Sequence, residues 1–157
     1  MRRIGIVAAT LILGVTAILV SARGQSAVAA SSSGGEQTIQ LTLAKGFFHQ
    51  VDQHPPGFSP GDVQIFGGRL LSSGQPRGRV QAYCVVVSSS NQECSFTYAL
   101  DGGQIAAVVG YGKGLSANKT STDPIVGGTG AYEGARGQIS DREVGPRKDE
   151  LVIHLLG

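Results

Sequence analysis

The segments Arg79–Val87 and Glu93–Leu100 have a β-rich, largely period-2 pattern and flank the polar cluster Ser88-Ser89-Ser90-Asn91. Alternation is the period of a half-buried strand, and two such runs joined by turn-forming residues make an antiparallel hairpin. Counting outward from the turn places Val80, Ala82, Cys84 and Val86 on one face, with Cys94, Phe96, Tyr98 and Leu100 opposite them. Six further short segments have the same β character: Gln37–Ala44, Val63–Leu71, Gln104–Tyr111, Ile125-Val126, Arg136–Val144 and Glu150–Leu156. No stretch sustains a 3.6-residue period with helix caps. Short strands at this spacing build a sandwich or a barrel. Gly67-Gly68 and Gly102-Gly103 interrupt them where bulges or tight corners are expected. The expected fold class is all-β, an eight-stranded antiparallel β-barrel, because closure removes exposed strand edges.

The 157 residues are enough for about one domain. The sequence divides into a signal peptide over 1–29, a flexible polar segment over 30–36 and a single barrel domain over 37–157. Arg2 and Arg3 precede an uncharged apolar run, Ile4–Val20, and Ala27-Val28-Ala29 fits the small-residue cleavage pattern. An uncleaved N-terminal anchor is the alternative, since the run approaches a bilayer-spanning length. The expected location is secreted, outside the cell. In an oxidising compartment Cys84 and Cys94 lie within disulfide reach across the hairpin. Two buried free thiols, or a functional thiol in a pocket, are the other readings.

Charge narrows the partners. Of 13 basic residues, Arg2, Arg3 and Arg23 lie in the leader, which holds no acidic residue. The other ten face eleven acidic residues, so the domain is close to neutral. That excludes an electrostatic nucleic-acid binder, which needs a clustered basic face. It equally excludes a polybasic membrane-surface protein, so no membrane contact is expected after leader cleavage.

The motifs that suggest chemistry are weak. Gly57-Phe58-Ser59-Pro60-Gly61 matches G-x-S-x-G, but the residue after the serine must supply an oxyanion N–H and Pro60 has none. Gly127-Gly128-Thr129-Gly130-Ala131-Tyr132-Glu133-Gly134 misses the dinucleotide spacing and lacks the Gly-Lys-Ser/Thr ending of a nucleotide loop. It reads as a glycine corner between strands. His49, His54 and His154 fit no metal spacing, and two cysteines cannot complete a zinc site. No metal and no cofactor are expected. Asn118-Lys119-Thr120 is a formal glycosylation sequon.

Gly61-Asp62, Phe66, Cys84-Val85-Val86 and the corner Ile125–Gly137 together resemble the allene oxide cyclase and dirigent superfamily. Within the corner, Gly-Gly-Thr-Gly and Ala-Arg-Gly are similar to dirigent proteins, and Tyr-Glu-Gly-Ala to allene oxide cyclases. The resemblance spans roughly residues 46–140. It implies an eight-stranded barrel, trimeric or dimeric, around an apolar pocket. The cyclases close the ring of a fatty-acid epoxide there, and dirigent proteins orient phenoxy radicals for coupling. The cyclase pocket cysteine falls on Cys84, the pocket proline on Pro56 after His54, and a pocket tyrosine near Tyr111. Phe47 stands where the cyclases carry a glutamate, and His49 and Gly68 where they carry asparagines. Strict allene oxide cyclase activity is therefore not implied. The dirigent arginine falls on Arg136.

Phe47, His49, Pro56, Phe66, Cys84 and Tyr111 are thus the expected pocket, with His49, Cys84 and Arg136 as candidates for chemistry. His49 is the one of these that exchanges a proton near neutral pH. The expected partner is a small apolar molecule whose cyclisation or coupling the barrel steers, an isomerase-like activity without a cofactor. A non-catalytic carrier and a purely structural barrel are the rival readings.

Overall fold

A computed structural model describes residues 35–53, 55–112 and 120–157. The expected signal peptide, His54 and the Asn118-Lys119 part of the sequon lie outside the described residues. The strands are β1 (Gln37–Val51), β2 (Val63–Ser72), β3 (Gln75–Ser88), β4 (Asn91–Leu100), β5 (Gly103–Gly112), β6 (Thr120–Gly130), β7 (Arg136–Gly145) and β8 (Lys148–Leu156). Each pairs antiparallel with its neighbour, and β1 pairs with β8, so the sheet closes into a barrel. Closure satisfies the backbone groups that an open edge would leave unpaired.

The Cys84/Cys94 hairpin forms in the expected register, with Val80 opposite Tyr98, Ala82 opposite Phe96 and Cys84 opposite Cys94. All six are buried inside the barrel. Cys84 and Cys94 form a disulfide, which excludes both free-thiol readings.

The barrel interior has two halves. Toward the β8 C-terminus it is filled by Leu70, Ile105, Ala107, Ile139, Ile153 and Leu155, all buried. The glycine corner closes that end. Ala131 N–H donates to Gly102 O at 2.9 Å, and Tyr132 and Glu133 N–H close the turn onto Thr129 and Gly130 O. Gly137 passes so close to β8 that a Cβ there would lie 1.9 Å from His154 O, at a φ of +133°. Only glycine meets both conditions without strain.

Toward the other end, β1 carries a register shift between Lys45 and Phe47, with Gly46 as the extra residue. This bulge lets the strand run on to Val51, well past the Ala44 limit expected from alternation. The β1–β2 connection is pinned below it. Asp62 is fully buried and accepts from Gln53 N–H at 2.7 Å, Ser59 N–H at 2.8 Å and Ser59 Oγ–H at 3.2 Å. Gly61 N–H and Asp62 O bond Val86, tying the loop to β3. Ser59 is therefore a buried loop anchor, in keeping with the structural reading of G-x-S-x-G.

Candidate functional site

The unfilled end of the barrel holds a cavity of about 460 Å³. Its apolar wall comes from β1 to β4: Leu43, Phe47, Phe48, Phe66, Phe96 and Tyr98, with the Cys84–Cys94 bond between them. Phe66 meets Phe96 edge-on at 5.8 Å, and Phe96 stacks on Tyr98 at 6.0 Å. Both are favoured aromatic geometries that hold the rings in place. Phe48 is 59% exposed at the mouth.

The opposite wall is polar. Asp141 on β7 and Asp149 on β8 line the cavity, with Lys45 from the bulged part of β1 and Arg147 from the β7–β8 turn. Lys45 Nζ lies 2.8 Å from Asp149 Oδ1 and 3.6 Å from Glu143 Oε1. Burial pulls the Lys45 ammonium down. The Asp149 hydrogen bond and the negative charges of Asp149, Glu143 and Asp141 outweigh it, so its pKa is raised. Arg147 donates to Gly46 O at 3.1 Å at the exposed rim. Asp149 is raised by burial and by Glu143, against the pull of Lys45. Asp141 is pushed up to about 7, first by burial, then by the charges of Asp149, Asp123 and Glu143, with Lys45 opposing. A carboxyl that is half-ionised at neutral pH inside a cavity can accept or release a proton there.

Of the expected pocket residues, Phe47, Phe66 and Cys84 lie on the cavity wall. Cys84 is present as a bonded sulfur, so it offers no thiol for chemistry. His49 is exposed, 5.8 Å from the Phe47 ring, and Pro56 is exposed in the β1–β2 connection; neither lines the cavity. The Tyr111 side chain lies outside the described residues. Arg136 begins β7 and so sits at the closed, glycine-corner end, away from the cavity. The residues that carry the family resemblance at the corner thus build the fold, while the cavity is lined mostly by residues outside those motifs.

Asp141, Asp149, Lys45 and Gln92 were not among the expected site residues. Their signal was parity. Asp141 and Glu143 continue the inward face of Ile139, and Asp149 precedes Leu151 and Ile153 on theirs. Acidic residues in a strand read as a solvated face until the partner strands show which side closes.

No family model matches the sequence, and no curated protein matches it. Solved structures do. The barrel is similar to a pyocyanin demethylase at 25% identity, over 76% of this chain and 99% of that one, with a TM-score of 0.68. It is similar to a pterocarpan synthase dirigent protein at 18% identity, over 78% of this chain and 88% of that one (TM-score 0.63). An exo-specific intermolecular Diels-Alderase matches at 18% identity, over 79% of this chain and 100% of that one (TM-score 0.64). These neighbours share the closed barrel while differing in chemistry, which fold alone does not decide. What the likeness shows is the fold: a closed eight-stranded antiparallel barrel, shared with the dirigent protein and the Diels-Alderase.

Proposed function

We propose that this protein is a secreted barrel that binds a small apolar molecule in the cavity walled by Phe47, Phe66 and Phe96, and steers its cyclisation or coupling. The observation that carries the reading is the cavity itself: about 460 Å³, aromatic on one side and carboxylate-lined on the other. That volume is in the range of small-molecule sites, and such sites combine apolar walls with few polar groups. With the cavity cysteine bonded, no nucleophilic thiol lines the site. Rate enhancement would come from holding a flexible substrate in a reactive shape, aided by one titrating carboxyl. The neighbours named as a Diels-Alderase and a dirigent protein support ring closure or coupling as the reaction class. The apolar leader and the disulfide support an oxidising, extracellular location.

The outer face of β1–β3 supports a trimer or dimer. His49, Ile65 and Tyr83 stand in register across three strands, flanked by exposed Val51 and Val87. Exposed apolar residues gathered on one sheet face mark an interaction surface.

Calorimetric titration with 1-naphthalenemethanol, a neutral aromatic probe, tests the binding. Phe47→Ala should weaken binding by about tenfold. Its melting temperature should stay near that of the wild type, because Phe47 is 43% exposed. Unchanged affinity would remove Phe47 from the site. Turnover of a candidate polyene or epoxide would separate the enzyme from a non-catalytic carrier.

A further inference from the structure

The polar wall of the cavity has an asymmetry that its apolar wall does not explain. Asp149 and Glu143 share Lys45 as their counter-ion, and Arg147 is engaged by a backbone carbonyl at the rim. No side-chain hydrogen bond or salt bridge joins the Asp141 carboxylate to another described residue, although the Lys45 charge acts on it. It faces Asp123 and Ser121 from β6, Asp149 from β8, Glu143 from its own strand and Lys45 from β1. Across the cavity, Gln92 Oε1 is buried with no hydrogen-bond partner among the described residues. A buried acceptor without a donor costs free energy that a bound donor would restore. Gln92 Oε1 and the Asp141 carboxylate are both acceptors, the local charge is negative, and five aromatic rings line the same cavity. Among the described residues, no three His, Cys, Asp or Glu side chains are grouped to hold a metal ion.

Resting on the cavity reading above, we propose that the site selects aromatic molecules bearing a cationic nitrogen, with Asp141 as the specificity-determining anion. The ring system occupies the Phe66–Phe96–Tyr98 wall. The ammonium or protonated ring nitrogen donates to Asp141 and Gln92, with cation–π attraction from the rings adding to the charge pairing.

Three probes share one ring and differ in charge: 1-naphthylmethylammonium, 1-naphthalenemethanol and 1-naphthoate. At about pH 8, with Asp141 ionised, the wild type should bind the ammonium at least about tenfold more tightly than the alcohol, and the naphthoate most weakly. At about pH 5.5, with Asp141 protonated, that preference should shrink while alcohol affinity stays constant. Asp141→Asn should abolish the preference, with the ammonium losing far more affinity than the alcohol. The wild-type pH comparison keeps the proposal testable should the variant fold poorly. Equal binding of alcohol and ammonium at about pH 8, or a preference that survives Asp141→Asn, overturns the charge selection and leaves the cavity reading standing. Failure of all three probes to bind overturns both.

Discussion

Asp62 is fully buried and Asp141 is half-buried in the cavity wall, and their surroundings act in opposite directions. Two backbone N–H groups and the Ser59 hydroxyl hold Asp62 below the ordinary carboxylate range. A folded-state pKa below the unfolded one lends stability that is present above the unfolded value and lost as pH falls through the folded one. Asp141 has the reverse sign. Its folded pKa of about 7 exceeds its ordinary 3.8, so the folded barrel holds a proton that the unfolded chain releases. That contribution is full below about pH 4, declines as pH rises toward 7, and is flat above. Asp149, also raised, acts in the same direction. A carboxyl whose pKa folding raises by one contributes about 1.4 kcal/mol at most. Asp141→Asn should flatten the fall in urea midpoint between about pH 4 and 7 and raise the midpoint at about pH 8. A slope equal to that of the wild type would show that Asp141 does not titrate as its surroundings dictate.

The elements show how alternation succeeded and where it stopped. Arg79–Val87 and Glu93–Leu100 keep strict parity, so the Cys84–Cys94 pairing was legible without a structure. Lys45-Gly46 breaks parity, and β1 accordingly looked finished at Ala44. The bulge that extends it is a long-range event, made by pairing with β2 across Gly67 and Gly68. The polar run Thr120–Pro124 opens β6 with a buried Asp123, which hydropathy reads as loop. The same blindness hid Asp141 and Asp149. Local pattern reports what a strand's two faces resemble, whereas barrel closure decides which face is inside. The glycine corner was legible because its steric demand is local. Gly137→Ala should therefore destabilise the barrel by about 1–3 kcal/mol, seen as a lower urea midpoint. A neutral effect would contradict the close β7–β8 approach at His154 O.

At the scale of the molecule, the barrel is packed with aliphatic side chains at the glycine-corner end and left open among aromatic rings and carboxylates at the other. The exposed apolar residues on β1–β3 lie on the outer face of the barrel. For the proposed assembly through that face, Ile65→Asp should yield a smaller species in sedimentation, because a charge at its centre opposes its burial. An unchanged sedimentation coefficient with a folded barrel would place any assembly elsewhere.

The most direct test of the account is an amide-resonance titration of the folded domain with 1-naphthalenemethanol. Saturable shifts should cluster at Lys45–Phe48, Gln92, Phe96 and Asp141, with Gly130, Arg136 and Gly137 unmoved. Shifts centred on the glycine corner, or no saturable shifts at all, would contradict a ligand cavity at the carboxylate-lined end of the barrel.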